Sequence, residues 1–276
     1  KGPNVYTFID KLSFKDHRGL LVENITADFT YTKKNILLDG LAMKTPSSEM
    51  KGRVELKYNR KDFSDFNNKV IFDVQFDKAT IASNDLNYFY NEFGKNNVFY
   101  VDTHLVGTLN NFTTHNLKLV DKNQSEIIGT ANFRNLFGKG NQEFYMKGNF
   151  DRITSNYEDL KSILPRILGN NLPSVLAKLG NVNIAGDVEL TQKYINANVT
   201  MLSQLGYLEG NLAMQNINNI DNASYQGNIK LDAFDLGTLL SQKQIGKATL
   251  DLDVDGKGFT QKLLNTAIKG EIRKFY

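Results

Sequence analysis

The sequence predicts a mostly β protein, an elongated array of antiparallel strands interrupted by short helices. Two patterns carry this: apolar and polar residues alternate along most of the 276-residue chain, and a strand–helix–strand landmark recurs every 70 to 81 residues. Composition agrees, since 41% hydrophobic and 23% charged residues belong to an ordered protein.

The strands come first. In "MKGRVELKYN", Met50, Gly52, Val54, Leu56 and Tyr58 fall on one face, with Lys51, Arg53, Glu55 and Lys57 on the other. In "VIFDVQFD", Val70, Phe72, Val74 and Phe76 oppose Ile71, Asp73, Gln75 and Asp77. Similar ladders run from Val182 to Leu190, Ile195 to Met201, Leu208 to Met214 and Leu250 to Val254. One apolar and one wet face per strand indicates antiparallel sheet rather than buried βαβ units.

The repeat is the second element. "FDKATIASNDL" and "FDRITSNYEDL" share their ends at identical spacing, and "LDAFDL" is a shortened version. An Asp-Leu pair thus begins at 85, 159 and 235. After each pair the pattern predicts a strand ending in glycine, at 107, 186 and 256, and later a glycine opening another strand, at 52, 129 and 210. The units expected are residues 1–75, 76–149, 150–230 and 231–276, the last incomplete, in one continuous array. The chain stops in "EIRKFY", within an expected strand, so it reads as a fragment of a longer protein.

The helices are the third. The longest is expected within residues 156–179, from Glu158 to Leu179, opening on a capping box of Ser155 with Glu158. Pro165, Gly169 and Pro173 divide it in two. It either lies on the apolar face as a lid or plug, or caps an edge strand. Shorter helices are expected around Asp85–Phe93 and Asp235–Gln242.

Several functions are excluded. A net charge of +3 without a Lys/Arg run argues against nucleic acid. The absence of cysteine removes disulfides, thiolate metal sites and cysteine nucleophiles. No stretch approaches a membrane span, and "KGPNVYTFID" lacks a signal peptide's apolar run. No nucleophile elbow, P-loop or dinucleotide fingerprint occurs, and "GKGNQEF" from Gly138 reads as a turn between strands. Asp62 and Asp65 lie in "NRKDFSDFNNK", which reads as a polar loop. Sequons at Asn24, Asn111, Asn123, Asn198 and Asn222 follow from an asparagine-rich composition.

"DLDVDGKG" from Asp251 imitates the start of a calcium loop. Position 12 of that loop is Lys262, however, and the flanks are not helical. Aligned on the glycine, Asp251, Asp253 and Asp255 meet Asp102, His104 and Val106, so strand and glycine persist while the carboxylates do not. His17, His104 and His115 are not spaced as ligands on one element, and His104 takes a solvent-facing position. No catalytic residue, cofactor or metal is expected, and the protein is not read as an enzyme.

What remains is the apolar face itself, with 18 phenylalanines, 12 tyrosines and no tryptophan. Either a second sheet or helices close it as a core, or it is an open curved sheet facing a chain-like ligand. Periodicity alone leaves both standing.

"LAMKTPSSEMKGRVELKY", and "LDAFDLGTLL" followed by "GKATLDLDVDGKGFT", resemble segments of TamB and other AsmA-like proteins of Gram-negative bacteria. "DFSDFNNKVIFDVQF" is similar to their relatives in Bacteroidetes. The resemblance implies an open, taco-like β-groove with an apolar lining. It also implies a periplasmic protein held in the inner membrane by an N-terminal helix that this chain does not contain. Its function would be to carry phospholipids between the inner and outer membranes, through contact with their acyl chains. A scaffold or chaperone-like role in outer-membrane protein assembly, with an Omp85-class barrel as partner through other parts of the chain, is the alternative. A calcium-bound adhesive or carbohydrate-binding β-repeat is a third reading. On the lipid reading, the lining consists of Val54, Leu56, Val70, Phe72, Val74, Phe76, Leu105, Ile184, Val188, Leu250, Leu252 and Val254.

Overall fold

The computed structural model describes residues 4–89, 93–137, 143–163, 165, 172, 174–219, 221–242, 244–258 and 263–275. The chain is mostly β, with antiparallel strands and a few short helices. It divides into two compact units: residues 1–124 with 128–144, and residues 125–127 with 145–276.

In the first unit, β1 (Val5–Lys15), β2 (Leu21–Tyr31), β3 (Asn35–Lys44) and β4 (Glu49–Lys57) are followed by α1 (Phe66–Lys69). Then come β5 (Ile71–Ala82), α2 (Ser83–Leu86), β6 (Val98–Thr108), β7 (Asn111–Asp121) and β8 (Glu126–Arg134), whose first residues cluster with the second unit. The second unit contains β9 (Tyr145–Ser155), α3 (Tyr157–Ile163), β10 (Val182–Thr191), β11 (Tyr194–Ser203) and β12 (Gly206–Gln215). It continues with β13 (Ser224–Asp235), α4 (Leu236–Leu240), β14 (Lys247–Lys257) and β15 (Asn265–Phe275). Within each unit the strands lie side by side in chain order.

The recurring Asp-Leu pair has a physical role at each helix. Asp85 lies in the first turn of α2, where its Oδ2 accepts from Thr45 Oγ1 and Ser48 Oγ, both at 2.5 Å, in the turn between β3 and β4. Asp235 caps α4, accepting from the Thr238 N–H and hydroxyl at 2.8 Å each. The cap of α3 differs from the expected box. Asn156 Oδ1 accepts from the Asp159 N–H at 2.9 Å, and its amide donates back to the Asp159 carboxylate at 2.6 Å. Ser155 is not free for capping, because it ends β9 and its buried hydroxyl pairs with that of Ser125 at 2.8 Å.

The long central helix is two short pieces among the described residues: α3, and a 3₁₀ segment Ser174–Leu179. Pro165 lies in a turn after α3, whereas Gly169 and Pro173 lie outside the described residues, as does the turn from Gly138. Helices α2 and α4 are shorter than expected. "NRKDFSDFNNK" is not a polar loop. It forms a 3₁₀ segment Arg60–Asp65 running into α1, and rings of Tyr58, Phe63, Phe66 and Phe72 follow one another at 4.6, 6.2 and 5.7 Å. The two phenylalanines link helix to strand, an attachment hidden by the polar residues around them.

The recurrent glycines neither end nor open strands in most cases. Gly186 sits in the middle of β10 and Gly52 in the interior of β4. Their φ angles are +129° and +148°. A Cβ at Gly186 would lie 2.2 Å from the Asn198 carbonyl oxygen, and one at Gly52 would lie 1.9 Å from that of Gln75. The neighbouring strand therefore approaches closer than any side chain permits. Register breaks recur in the same sheets, for example between Gly52 and Glu49 against β5 and between Ile184 and Gly186 against β9. Such irregularities bend a strand locally and increase its twist.

A Gly186→Val substitution combines a strained backbone with an overpacked contact, each costing about 1–3 kcal/mol. It should lower the unfolding free energy by roughly 3 kcal/mol in denaturant titrations. Thr200→Val, on an exposed face of β11, should stay within about 0.5 kcal/mol.

Candidate functional site

Directly paired residues of neighbouring antiparallel strands share a face, so the register shows what each surface presents. In the second unit, Ile153, Ile184, Met201, Leu208, Leu231, Leu250 and Ile272 form one row across seven strands. The next row is Phe150, Gly186, Val199, Gly210, Ile229, Leu252 and Gly270. Val188, Ala197, Leu212, Gly227, Val254 and Ile268 follow in the third. The fourth runs from Met146 through Leu190, Ile195 and Met214 to Tyr225, Gly256 and Thr266. These four rows contain no charged residue. Their only side-chain polar groups, the hydroxyls of Tyr225 and Thr266, bond to each other. The Tyr225 ring also lies over Gly256, where a built Cβ would be 2.8 Å from it.

The opposite face is polar. Asp187, Asn198, Asn211, Asn228, Asp253 and Lys269 stand in one row. The Asn228 amide donates to Asp251 at 2.9 Å and to Asp253 at 3.0 Å. The aspartates of "DLDVDGKG" thus stand on the wet face of β14, tied to β13 by an amide. Among the described residues no three His, Asp or Glu side chains converge as metal ligands. Two open depressions of about 580 and 570 Å³ also lie largely on this polar face and share Asn211 and Asn228.

The first unit repeats the division. Phe29, Leu38, Val54, Val74 and Leu105 form a row, and Tyr31, Ile36, Leu56, Phe72, Gly107 and Phe112 form another. Phe76 pairs with Gly52 and Thr103 on the same face. The register therefore places Val54, Leu56, Phe72, Val74, Phe76 and Leu105 together, and Ile184, Val188, Leu250, Leu252 and Val254 together in the second unit. Val70 is the exception. It follows α1 directly, outside the paired strand, and has 0% of its surface exposed, so it serves packing rather than a lining.

Exposure grades across the second unit's apolar face. The 3₁₀ segment and α4 bring Leu176, Leu179, Leu236 and Leu239 onto a cluster with Met201, Leu231, Phe234 and Leu250. Leu250 is left 6% exposed. Lys178 Nζ ties the two helical pieces together, donating to the Leu239 carbonyl at 2.7 Å and Ser241 Oγ at 2.6 Å. This cover lies over β11, β13 and β14, not over an edge strand. At β15 the same face is open, with Ile268 61% and Ile272 65% exposed.

Sequence reasoning missed one charged group. On the polar face of the first unit, Lys57 Nζ bonds Asp73 Oδ2 at 2.7 Å and Arg53 bonds Glu55 at 2.5 Å. His104 Nε2 lies 2.8 Å from Asp73 Oδ1, and the His115 ring is centred 6.0 Å from that of His104. The signal was the β6–β7 hairpin, whose turn between Thr108 and Asn111 makes residues 104 and 115 direct partners. The Lys57 hydrogen bond, then that of His104, holds the Asp73 carboxyl below its usual range, and the same bond raises the Lys57 ammonium. Burial is the largest single effect on Glu55 and opposes its ionisation, but hydrogen bonds from Arg53 and Asn35 together with the charges of Lys57 and Arg53 outweigh it and lower its pKa.

Comparison with protein-family models, curated proteins and solved structures finds no match.

The pH dependence follows from these directions. Depressed carboxylates contribute stability above their unfolded pKa near ~4, which is lost as pH falls through the lower folded value; the raised lysine contributes below ~10.4 and loses it as pH rises through its folded value. Melting temperature should therefore drop on both limbs, below about pH 4 and above about pH 10. Asp73→Asn should flatten both limbs in scanning calorimetry.

Proposed function

We propose that this chain is a non-enzymatic lipid carrier whose apolar sheet faces receive phospholipid acyl chains. The observation behind the reading is the four uncharged rows of the second unit, open toward β15. A acyl chain gains about 0.8 kcal/mol for each CH₂ buried. Aliphatic side chains and glycines at the strand spacing of ~4.8 Å hold such a chain without a shaped pocket. Uniform affinity suits a cargo that slides, so no single residue is indispensable. The headgroup stays in water, because these rows offer no charge to receive it. The likeness to TamB and other AsmA-like proteins supports the same reading, and with it a periplasmic setting between two membranes.

A first contact is expected at the exposed Ile268 and Ile272 and the half-buried Leu252, whereas Val254 is itself buried. Leu250 lies under the helical cover and becomes available only if that cover lifts.

A second reading has its own observation. Strand β15 is eleven residues long and, among the described residues, is paired only with β14. A strand of that length can pair with a further strand, and a scaffold for outer-membrane proteins would use such pairing, β-augmentation, to hold a client.

A photo-crosslinking residue at Leu252 should capture phospholipid in cells, and one at Asp253 should not. Equal labelling at both positions, or lipid at neither, contradicts the carrier reading. Protein adducts in place of lipid at Leu252 favour the scaffold.

A further inference from the structure

We propose that His104 and His115 form a binding site for a divalent transition-metal ion, with Asp73 orienting His104. The two histidines are direct partners across β6 and β7, on the polar face of the first unit, with ring centroids 6.0 Å apart and planes at 41°. Ring centroids 6.0 Å apart are compatible with one nitrogen from each ring on a shared ion at the usual ~2.0–2.1 Å.

The hydrogen bond to Asp73 settles which nitrogen of His104 is offered. An ionised carboxylate only accepts, so His104 Nε2, at 2.8 Å, carries the proton. The lone pair of the neutral ring is then on Nδ1. A carboxylate behind the far nitrogen of a ligating histidine fixes the tautomer and the orientation of the ring. Asp73 is itself held by Lys57 at 2.7 Å and approached by Arg53 at 3.9 Å. With Glu55 bonded to Arg53, these two cations and two anions carry no net charge between them.

The donor set selects the class of ion. Neutral imidazoles suit copper, zinc and nickel rather than calcium or magnesium, and among divalent ions copper binds such nitrogens most strongly. With no third His, Asp or Glu converging among the described residues, solvent completes the coordination. This site is separate from the apolar faces and stands whether or not these carry lipid.

Copper(II) alone, titrated into the full chain in a non-coordinating buffer near pH 7.5, is the test, read by calorimetry and electron paramagnetic resonance. One equivalent with a two-nitrogen signature is expected. His104→Ala and His115→Ala should each weaken binding at least tenfold and lose that signature. Asp73→Asn should weaken binding by about tenfold or more while keeping two nitrogens, as expected for an orienting group. His17→Ala should change nothing. Circular dichroism of the apo variants separates lost ligands from lost fold, and His115→Gln provides a second variant at the exposed position. Absence of saturable one-equivalent binding to the wild-type chain, or unchanged binding when both histidines are replaced, overturns the proposal.

Discussion

In the second unit Leu250 faces Leu231 on one side and Ile272 on the other, while Asp251 beside it faces Lys230 and Glu271. A slip of one residue at any strand pair would place charged side chains among the apolar rows and aliphatic ones in the polar row. The in-phase register from β9 to β15 is therefore the constraint on which the rest depends. It is held by the backbone ladder and by cross-strand pairs on the polar face, such as Asn149 with Asp187, at 2.9 Å, and Asn228 with two aspartates. It is also held by tight turns, for Ser203 Oγ donates to the Gly206 carbonyl at 3.0 Å.

Given that register, the inserted helical pieces decide how much of the apolar face is available. The 3₁₀ segment before β10 and α4 before β14 lie on the same cluster and are joined by Lys178. They bury leucines from both sides of the contact, and an acyl chain would compete with them there. Elsewhere on the face Phe150, Leu190 and Val254 are also buried, while Ile268 and Ile272 are exposed. Between the two readings left open by periodicity, the observed burial is mixed: one end of the face is packed by helical pieces, and the side chains of β15 are exposed. The open depressions on the polar face show that a recess need not coincide with the apolar surface.

Alternation made the strand faces legible from the residues alone. Phe72, Val74 and Phe76, or Leu250, Leu252 and Val254, share a face by parity, and the register aligns them across strands. Val70 obeyed the same parity but failed as a lining residue, because the turn of chain ahead of it was not visible in the pattern. The glycines were found but misplaced. Sequence shows that Gly186 recurs, not that its φ of +129° brings Asn198 against the missing side chain. Phe63 and Phe66 were lost among polar neighbours, since two rings at three-residue spacing give too short a signal for a helix. The histidine pair was hidden for another reason: its members are eleven residues apart and meet only through the symmetry of a hairpin.

The proposed lipid carriage requires that the second unit's apolar face admit a lipid and that its polar face not do so. Spin labels on Leu212→Cys and Asn211→Cys, adjacent on β12 and on opposite faces, test it directly through collision with a water-soluble nickel chelate. Both labels should be accessible in the free protein, and phospholipid should shield only the label at 212. A label at 212 already shielded without lipid would indicate a closed core. Lipid that shields both labels, or neither, would rule out binding on the apolar face alone.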